Sequence, residues 1–346
     1  MNSRERMCKV LNHELPDRLP TFEYAIDKKV VEAICPGGTY ADVVENLDLD
    51  GITAWEPSSG GYVPGLADKL KPGDIFVDEW GIKRKSSGEM AAYPLKEDVA
   101  IGTESDLKNY TPPDPYSEHR YEVLRKYIKR FGREKFISYD IPDMFDISKY
   151  LMGEDDFLVA FMQRPQLIKA LFEMTTDWVI QVAQKAIDIG ADMIIDSSDV
   201  AYKNGPWVRP ERMVEYFIPC LQRVAEAVKK RRAYIFYHSH GNIWKLLDAL
   251  IGTGIDVIHP MAYEDGMDIS VVKQVFGRKV VVAGNISTGF MTRRSPDETV
   301  ALVKETISKT SVGGGHILMA SSSIYSGVNP DNYRAMVETA HTYGRY

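Results

Sequence analysis

From His119 to the C-terminus the chain repeats one unit: a short apolar run, an abrupt polar tip, then an amphipathic helical stretch. The clearest copy is AYIFYHSHGN, from Ala233 to Asn242, followed by a predicted helix over Ile243 to Ile251. Apolar runs of this length suit buried strands. The other copies are Lys135 to Tyr139 ending in Asp140, Asp192 to Ile195 ending in Asp196-Ser197-Ser198-Asp199, Ile255 to Ile258 ending in His259, Lys279 to Ala283 ending in Gly284-Asn285, and His316 to Met319 ending in Ala320 and Ser321 to Ser323. Two earlier runs, Leu19 to Phe22 and Gly51 to Trp55, end in Glu23-Tyr24 and Glu56. Eight strands near residues 20, 52, 137, 193, 235, 257, 281 and 317 predict an α/β fold, a (β/α)8 TIM barrel occupying 1–346 as one domain. A doubly wound open sheet is the rival. It would leave two strands without a place, and no GxGxxG follows the first strand.

Helices are predicted over Ser3 to His13 (with Ser3 as N-cap), Lys28 to Ile34, Ala41 to Leu47, Tyr121 to Phe131, Phe145 to Leu151, Asp155 to Gln163, Pro165 to Ile189, Pro210 to Arg231, Asp268 to Phe276, Pro296 to Thr310 and Asn329 to Tyr343. One region breaks the rhythm. Within Ile75 to Pro94, IFVDEWGIKRK reads as two short antiparallel strands, and Thr111 to Pro115 (TPPDP) as a rigid linker. The whole stretch near 57–118 reads as an insertion placed to cover a site, with Trp80, Tyr93 and Tyr110 either lining that surface or forming a small core beneath it.

Charge and composition exclude several functions. The net charge of −7 argues against a general nucleic-acid binder. The basic cluster Lys229-Lys230-Arg231-Arg232 suits a helix C-terminus instead. No apolar window is long enough to span a membrane, and MNSRERMCKVLN lacks the apolar core of a signal peptide. Cys8, Cys35 and Cys220 are widely spaced and odd in number, which points to a reducing, cytoplasmic setting without a cysteine-based metal motif.

In a barrel the strand C-termini share one mouth. The tips then nominate Asp140, Asp196, Asp199 and His240 for acid–base work, and Glu23, Trp55, Tyr202, Asn204, His259 and Asn285 for substrate contacts. His238 and His240, at i and i+2 of a strand end, point to the same side and form a candidate metal pair. Each residue also has a structural reading. Asp140 can cap the turn at Ile141-Pro142; Asp196 and Asp199 can cap short helices; His259 can be a satisfied buried histidine; Asn285 can order its own loop. Their joint placement carries the functional reading.

The segments RERMCKVLNHELPDRLPTF, VDEWGIKRK, DSSDVAYKNGPWVRPERMVEYFIPCLQRV, HSHGN, VAGNIS, GGGHILMASSSI and NPDNYRAMVETA resemble the uroporphyrinogen decarboxylase superfamily over nearly the whole chain. The resemblance implies a (β/α)8 barrel. True uroporphyrinogen decarboxylases carry an arginine-rich motif after the first strand, whereas TFEYAIDKKV has no arginine. The chain is closer to the corrinoid-dependent methyltransferase branch, whose H-x-C-G-N zinc box HSHGN resembles at His238 and Asn242. His240 stands where that family has cysteine, and a second family cysteine falls near Ser322. The resemblance implies methyl transfer from a small donor, such as a methyl ether or alcohol, to a separate corrinoid protein. Zinc would be held by His238, His240 and a carboxylate such as Glu23, Asp196 or Asp199. Without metal, the same imidazoles would protonate the leaving oxygen. A lyase that decarboxylates a small cyclic acid and a barrel that binds without turnover remain as alternatives. A homodimer is compatible with a barrel of this size.

Overall fold

The computed structural model describes residues 1–57, 70–88, 92–95 and 99–346. Seven parallel strands form one sheet in sequence order: Gly51–Trp55, Phe136–Pro142, Met193–Ser197, Tyr234–His238, Val257–His259, Val281–Ile286 and His316–Ala320. The expected first strand, 19–22, is not a regular strand. It is an extended segment joined to Leu318 by a single bridge at Thr21. Pro20 removes one ladder donor, which limits regular pairing there. The segment still closes the barrel and counts as its first strand, so Met193–Ser197 is strand four, Tyr234–His238 strand five, Val257–His259 strand six and His316–Ala320 strand eight. Phe22 N donates to Leu318 O at 3.2 Å, Leu318 N to Pro20 O at 2.9 Å, and Asp50 N to Thr21 O at 2.8 Å.

The Asp50 side chain reinforces this seam. It accepts from Thr21 N at 2.9 Å and pairs with Arg6 at 2.5 Å and Arg18 at 2.8 Å. The opening helix, Ser3–Leu11, brings Arg6 there. Its N-cap is Asn2, not Ser3, because Asn2 and Glu5 exchange reciprocal hydrogen bonds of 2.8 and 3.0 Å.

Alternation along each strand sorts side chains into two cores. Phe136, Met193, Ile195, Phe236, Val257, Val281, Ile317 and Met319 fill the barrel interior. Ile137, Tyr139, Ile194, Ile235, Tyr237, Val282 and Leu318 face the helices. Parallel register levels the tips: Trp55 lies beside Asp140, Ser197 beside His238, and His238 beside His259.

Most helices fall where the sequence places them, Lys28–Ile34 and Pro165–Ile189 with the same ends. The helix expected over Pro210 to Arg231 instead contains a π turn at Met213–Phe217 before Ile218–Lys230. Pro219 lies two residues beyond this turn, and a proline that cannot donate to the preceding turn favours such a local widening. Likewise Pro296–Thr306 ends in a π turn at Ile307–Ser311.

In the insertion, Ile75–Val77 and Lys83–Ser86 pair antiparallel as expected, and a third strand, Ala92–Pro94, extends them. The parts of the insertion at 58–69, 89–91 and 96–98 lie outside the described residues. Arg120 anchors the insertion to the barrel: it is buried, contacts Glu56 at a strand tip, and forks onto Glu79 through two bonds of 2.6 Å. Trp80 is buried edge-on against Trp178 at 4.7 Å, and the Tyr110 hydroxyl donates to Trp80 O. Those two aromatics therefore form the small core, while Tyr93 stays exposed. No helix among the described residues is long and apolar enough to cross a membrane.

Candidate active site at the barrel mouth

A cavity of about 580 Å³ opens between the strand tips and the insertion. Aromatic rings dominate its wall, including Tyr24, Trp55, Trp80, Tyr127, Tyr150 and Tyr325. Among the described residues, Arg84 is the only arginine or lysine on the wall, and Asp78 pairs with it at 2.5 Å. Asp146, Asp199, His238, His240 and Ser322 supply the polar chemistry.

Strand five ends in His238, with its ring turned into the barrel mouth. Gly241 lets the following loop turn inward: its φ is +88°, and a Cβ there would meet Ala201 O at 2.4 Å. His238 Nδ1 lies 2.7 Å from His259 Nδ1, and His259 Nε2 lies 3.0 Å from Ala320 O. A carbonyl only accepts, so His259 carries its proton on Nε2 and accepts at Nδ1. His238 must then donate from Nδ1, which leaves its Nε2 with a bare lone pair. Burial and neighbouring imidazole charge hold both rings well below their ordinary pKa, in keeping with these neutral tautomers. Tyr24 packs against both rings, at 5.4 Å from His238 and 5.6 Å from His259.

His240 behaves oppositely. Burial pulls its pKa down, but the hydrogen bond to Asp265 and the charge of Asp199 outweigh that and raise it. Its Nδ1 lies 3.4 Å from Asp265 Oδ2, and its Nε2 lies 3.4 Å from Ser322 Oγ. Asp265 is fixed by Gly241 N at 3.0 Å. Asp199 accepts from His240 N at 2.9 Å and stands 3.9 Å from His238 Nε2. Sequence reasoning missed Asp265. It lies in a short YEDG turn beyond strand six, and nothing local distinguishes it from a solvated turn.

The expected convergence is met by Trp55, Asp199, His238 and His240, which all line the cavity. Trp55 is pinned by its Nε1 donating to Tyr24 O at 2.7 Å. Asp140 points inward but lies buried beneath the cavity wall, accepting from Ser197 Oγ at 2.7 Å. His259 is buried one step back and acts on His238. The remaining nominations are not brought to the cavity. Asp196 falls on the outward face of strand four, sealed near Asp143, and burial together with the Asp140 charge pushes its carboxyl up to about 7. Glu23 also has outward parity; it accepts from Ala320 N at 2.9 Å, and burial raises its carboxyl well above the usual range. Asn285 donates to Met261 O at 2.7 Å and so braces a loop. Tyr202 and Asn204 sit exposed on a hairpin formed by Ala201–Tyr202 and Gly205–Pro206. Alternation turns Asp196 and Glu23 away, the hairpin carries Tyr202 and Asn204 outward, and the bond to Met261 O holds Asn285.

Among the described residues no three His, Cys, Asp or Glu side chains group closely enough to hold a metal ion. His238 Nε2 offers a lone pair, but His240 is turned towards Asp265 and Ser322, and Asp199 already holds the His240 N–H. The donor set as built does not fit zinc, and no metal enters the chemistry derived from it.

The sequence profile of the Uroporphyrinogen decarboxylase (URO-D) family matches residues 87–343. The chain belongs to the uroporphyrinogen decarboxylase family. It is 23% identical over 266 residues to the uroporphyrinogen decarboxylase of Azoarcus sp. (strain BH72), covering 70% of this chain and 68% of that one. It is 22% identical over 268 residues to the enzyme of the same name from Dechloromonas aromatica, covering 73% and 70%. A methyltransferase from Methanosarcina mazei superposes over 99% of both chains with a TM-score of 0.78 at 16% identity, a likeness of fold. In this URO-D member the wall around His238 and His240 is aromatic, with Arg84 its only arginine or lysine among the described residues.

Proposed function

We propose that the protein transfers a methyl group from a small oxygen-linked methyl donor to a corrinoid carried by a separate protein. The observation that carries this reading is His240: an imidazole whose pKa Asp265 and Asp199 raise, placed on the wall of an aromatic cavity. Breaking a methyl–oxygen bond leaves an alkoxide or phenolate, and a positioned acid that protonates this oxygen lowers the barrier. The corrinoid is the second substrate and supplies the nucleophile. His240 delivers the proton from Nε2 to the leaving oxygen. The bare Nε2 of His238 accepts a hydrogen bond from a donor hydroxyl or N–H and so orients it. Tyr24 and Trp55 pack against the donor's apolar part and exclude water. Trp80 and Arg84, which the insertion contributes to the wall, complete the enclosure.

Decarboxylation is the second reading, supported by the names of the curated relatives. A porphyrinogen with many carboxylates needs cations to grip it. Arg84 is already neutralised by Asp78, and the Asp199 carboxylate on the wall disfavours anions. A substrate with few or no carboxylates therefore suits this wall better.

The test is to mix the protein with reduced cobalamin and a panel of methyl ethers and alcohols, following methylation of the corrinoid by absorbance. Transfer from at least one donor, lost in His240→Ala, is expected. No transfer across the panel, with carbon dioxide released from a cyclic acid, would move the assignment to the second reading.

A further inference from the structure

Two side chains at the mouth face each other across the barrel. His240 and Ser322 come from loops after strands five and eight, 82 residues apart, yet His240 Nε2 faces Ser322 Oγ at 3.4 Å. The other imidazole nitrogen, Nδ1, faces Asp265 Oδ2 at 3.4 Å, and Gly241 N holds that carboxylate in place at 3.0 Å. A carboxylate on Nδ1 and a serine hydroxyl on Nε2 is the arrangement that activates a serine nucleophile, and such contacts are often long before substrate binds. Ser322 is on the cavity wall, and Tyr24 lines the same cavity.

We propose that Ser322, His240 and Asp265 form a nucleophile–base–carboxylate triad that hydrolyses small uncharged carboxylic esters in the same cavity. Ser322 Oγ attacks the ester carbonyl carbon while His240 Nε2 takes the hydroxyl proton. Tyr24 donates to the developing oxyanion. The carbon–oxygen bond to the alcohol breaks, and His240 returns the proton to the departing oxygen. Water, deprotonated by His240, then releases the acid and restores Ser322. Ester and water give acid and alcohol, with no further reactant. Asp265 is a positioning residue, holding His240 with its proton on Nδ1. Aromatic walls, on which the only arginine or lysine among the described residues is Arg84 paired with Asp78, favour short apolar or aryl esters over charged ones.

This activity does not depend on methyl transfer, because it needs neither corrinoid nor methyl donor. The wild-type protein is treated with p-nitrophenyl butyrate and, separately, with a fluorophosphonate, and the adducts are mapped by peptide mass spectrometry. A burst of p-nitrophenolate near one equivalent per chain and a single adduct on Ser322 are expected. Ser322→Ala should lose both, and His240→Asn should lower hydrolysis by at least about 100-fold. Asp265→Asn should lower it by about 10- to 1,000-fold, with partial recovery in Asp265→Glu. Thermal melting of each variant reports folding. The proposal is overturned if neither reagent modifies Ser322 in folded wild-type protein, if the adduct maps elsewhere, or if folded Ser322→Ala hydrolyses the ester as fast as wild type.

Discussion

His259 sets the basic edge of His238. Their Nδ1 atoms lie 2.7 Å apart, and the Ala320 carbonyl at 3.0 Å from His259 Nε2 decides which ring donates. His238 is therefore expected to be neutral with its proton on Nδ1. Nitrogen-15 NMR of labelled histidine distinguishes the two tautomers directly, and a proton on His238 Nε2 would contradict the relay. Replacing His259 by Phe removes the acceptor and frees the ring. Methyl transfer should then fall by about 10- to 100-fold, as loss of an orienting partner commonly does.

Methyl transfer should lose rate as pH rises. His240 acts while protonated, and its folded pKa lies above the ordinary value of an imidazole. The rate is therefore full below that pKa and declines above it. Asp265→Asn removes the bond that raises the pKa, so the decline should move to lower pH. A pH–rate profile of both proteins checks the sign; an unmoved profile would detach Asp265 from His240.

Arg120 carries a stability prediction. Its guanidinium lies buried between Glu56, which is itself fully buried, and Glu79. Arg120→Ala would strand the Glu56 charge and separate the insertion from the strand tip. A loss of about 3–5 kcal/mol is expected from breaking one side of such a buried pair. Denaturant unfolding of wild type and variant measures it, and a change below about 1 kcal/mol would show the pair to be dispensable.

Asp196 predicts a pH effect of opposite origin. Its folded pKa is pushed up to about 7, whereas an unfolded aspartate titrates near 3.9. Between those values the folded chain holds a proton that the unfolded chain releases. Stability contributed by this group is therefore present below the unfolded pKa and declines as pH rises through about 4 to 7. Asp196→Asn should flatten that decline and stabilise the protein at pH 8 by about 1–2 kcal/mol relative to wild type. Melting curves at pH 5 and pH 8 make the comparison.

Because among the described residues no His, Cys, Asp or Glu side chains group closely enough with His238 and His240 to hold a metal ion, turnover should survive chelation. The protein is assayed for methyl transfer before and after prolonged treatment with EDTA, with metal content measured alongside. Stoichiometric zinc that is lost with activity, and restored with it, would overturn this expectation and make the imidazole pair a metal site.

The amino-acid sequence by itself determined the barrel. Apolar runs with period-two burial and amphipathic helices are local patterns, and seven of the eight predicted runs became sheet strands, with 19–22 closing the ring through single hydrogen bonds. It also located the chemically rich tip, since His238, His240 and Asp199 adjoin strand ends. Tertiary structure alone decided which polar side chains share the cavity. A one-residue difference in parity sends Asp196 and Glu23 behind the wall while Asp140 and His238 point inward, and the strand boundary that fixes this parity depends on pairing with neighbours. Asp265 and Ser322 reach His240 from elements 25 and 82 residues away, so their partnership exists only once the barrel has closed. The charge state of His240 follows from that closure, because an imidazole's pKa is set by what surrounds it in space.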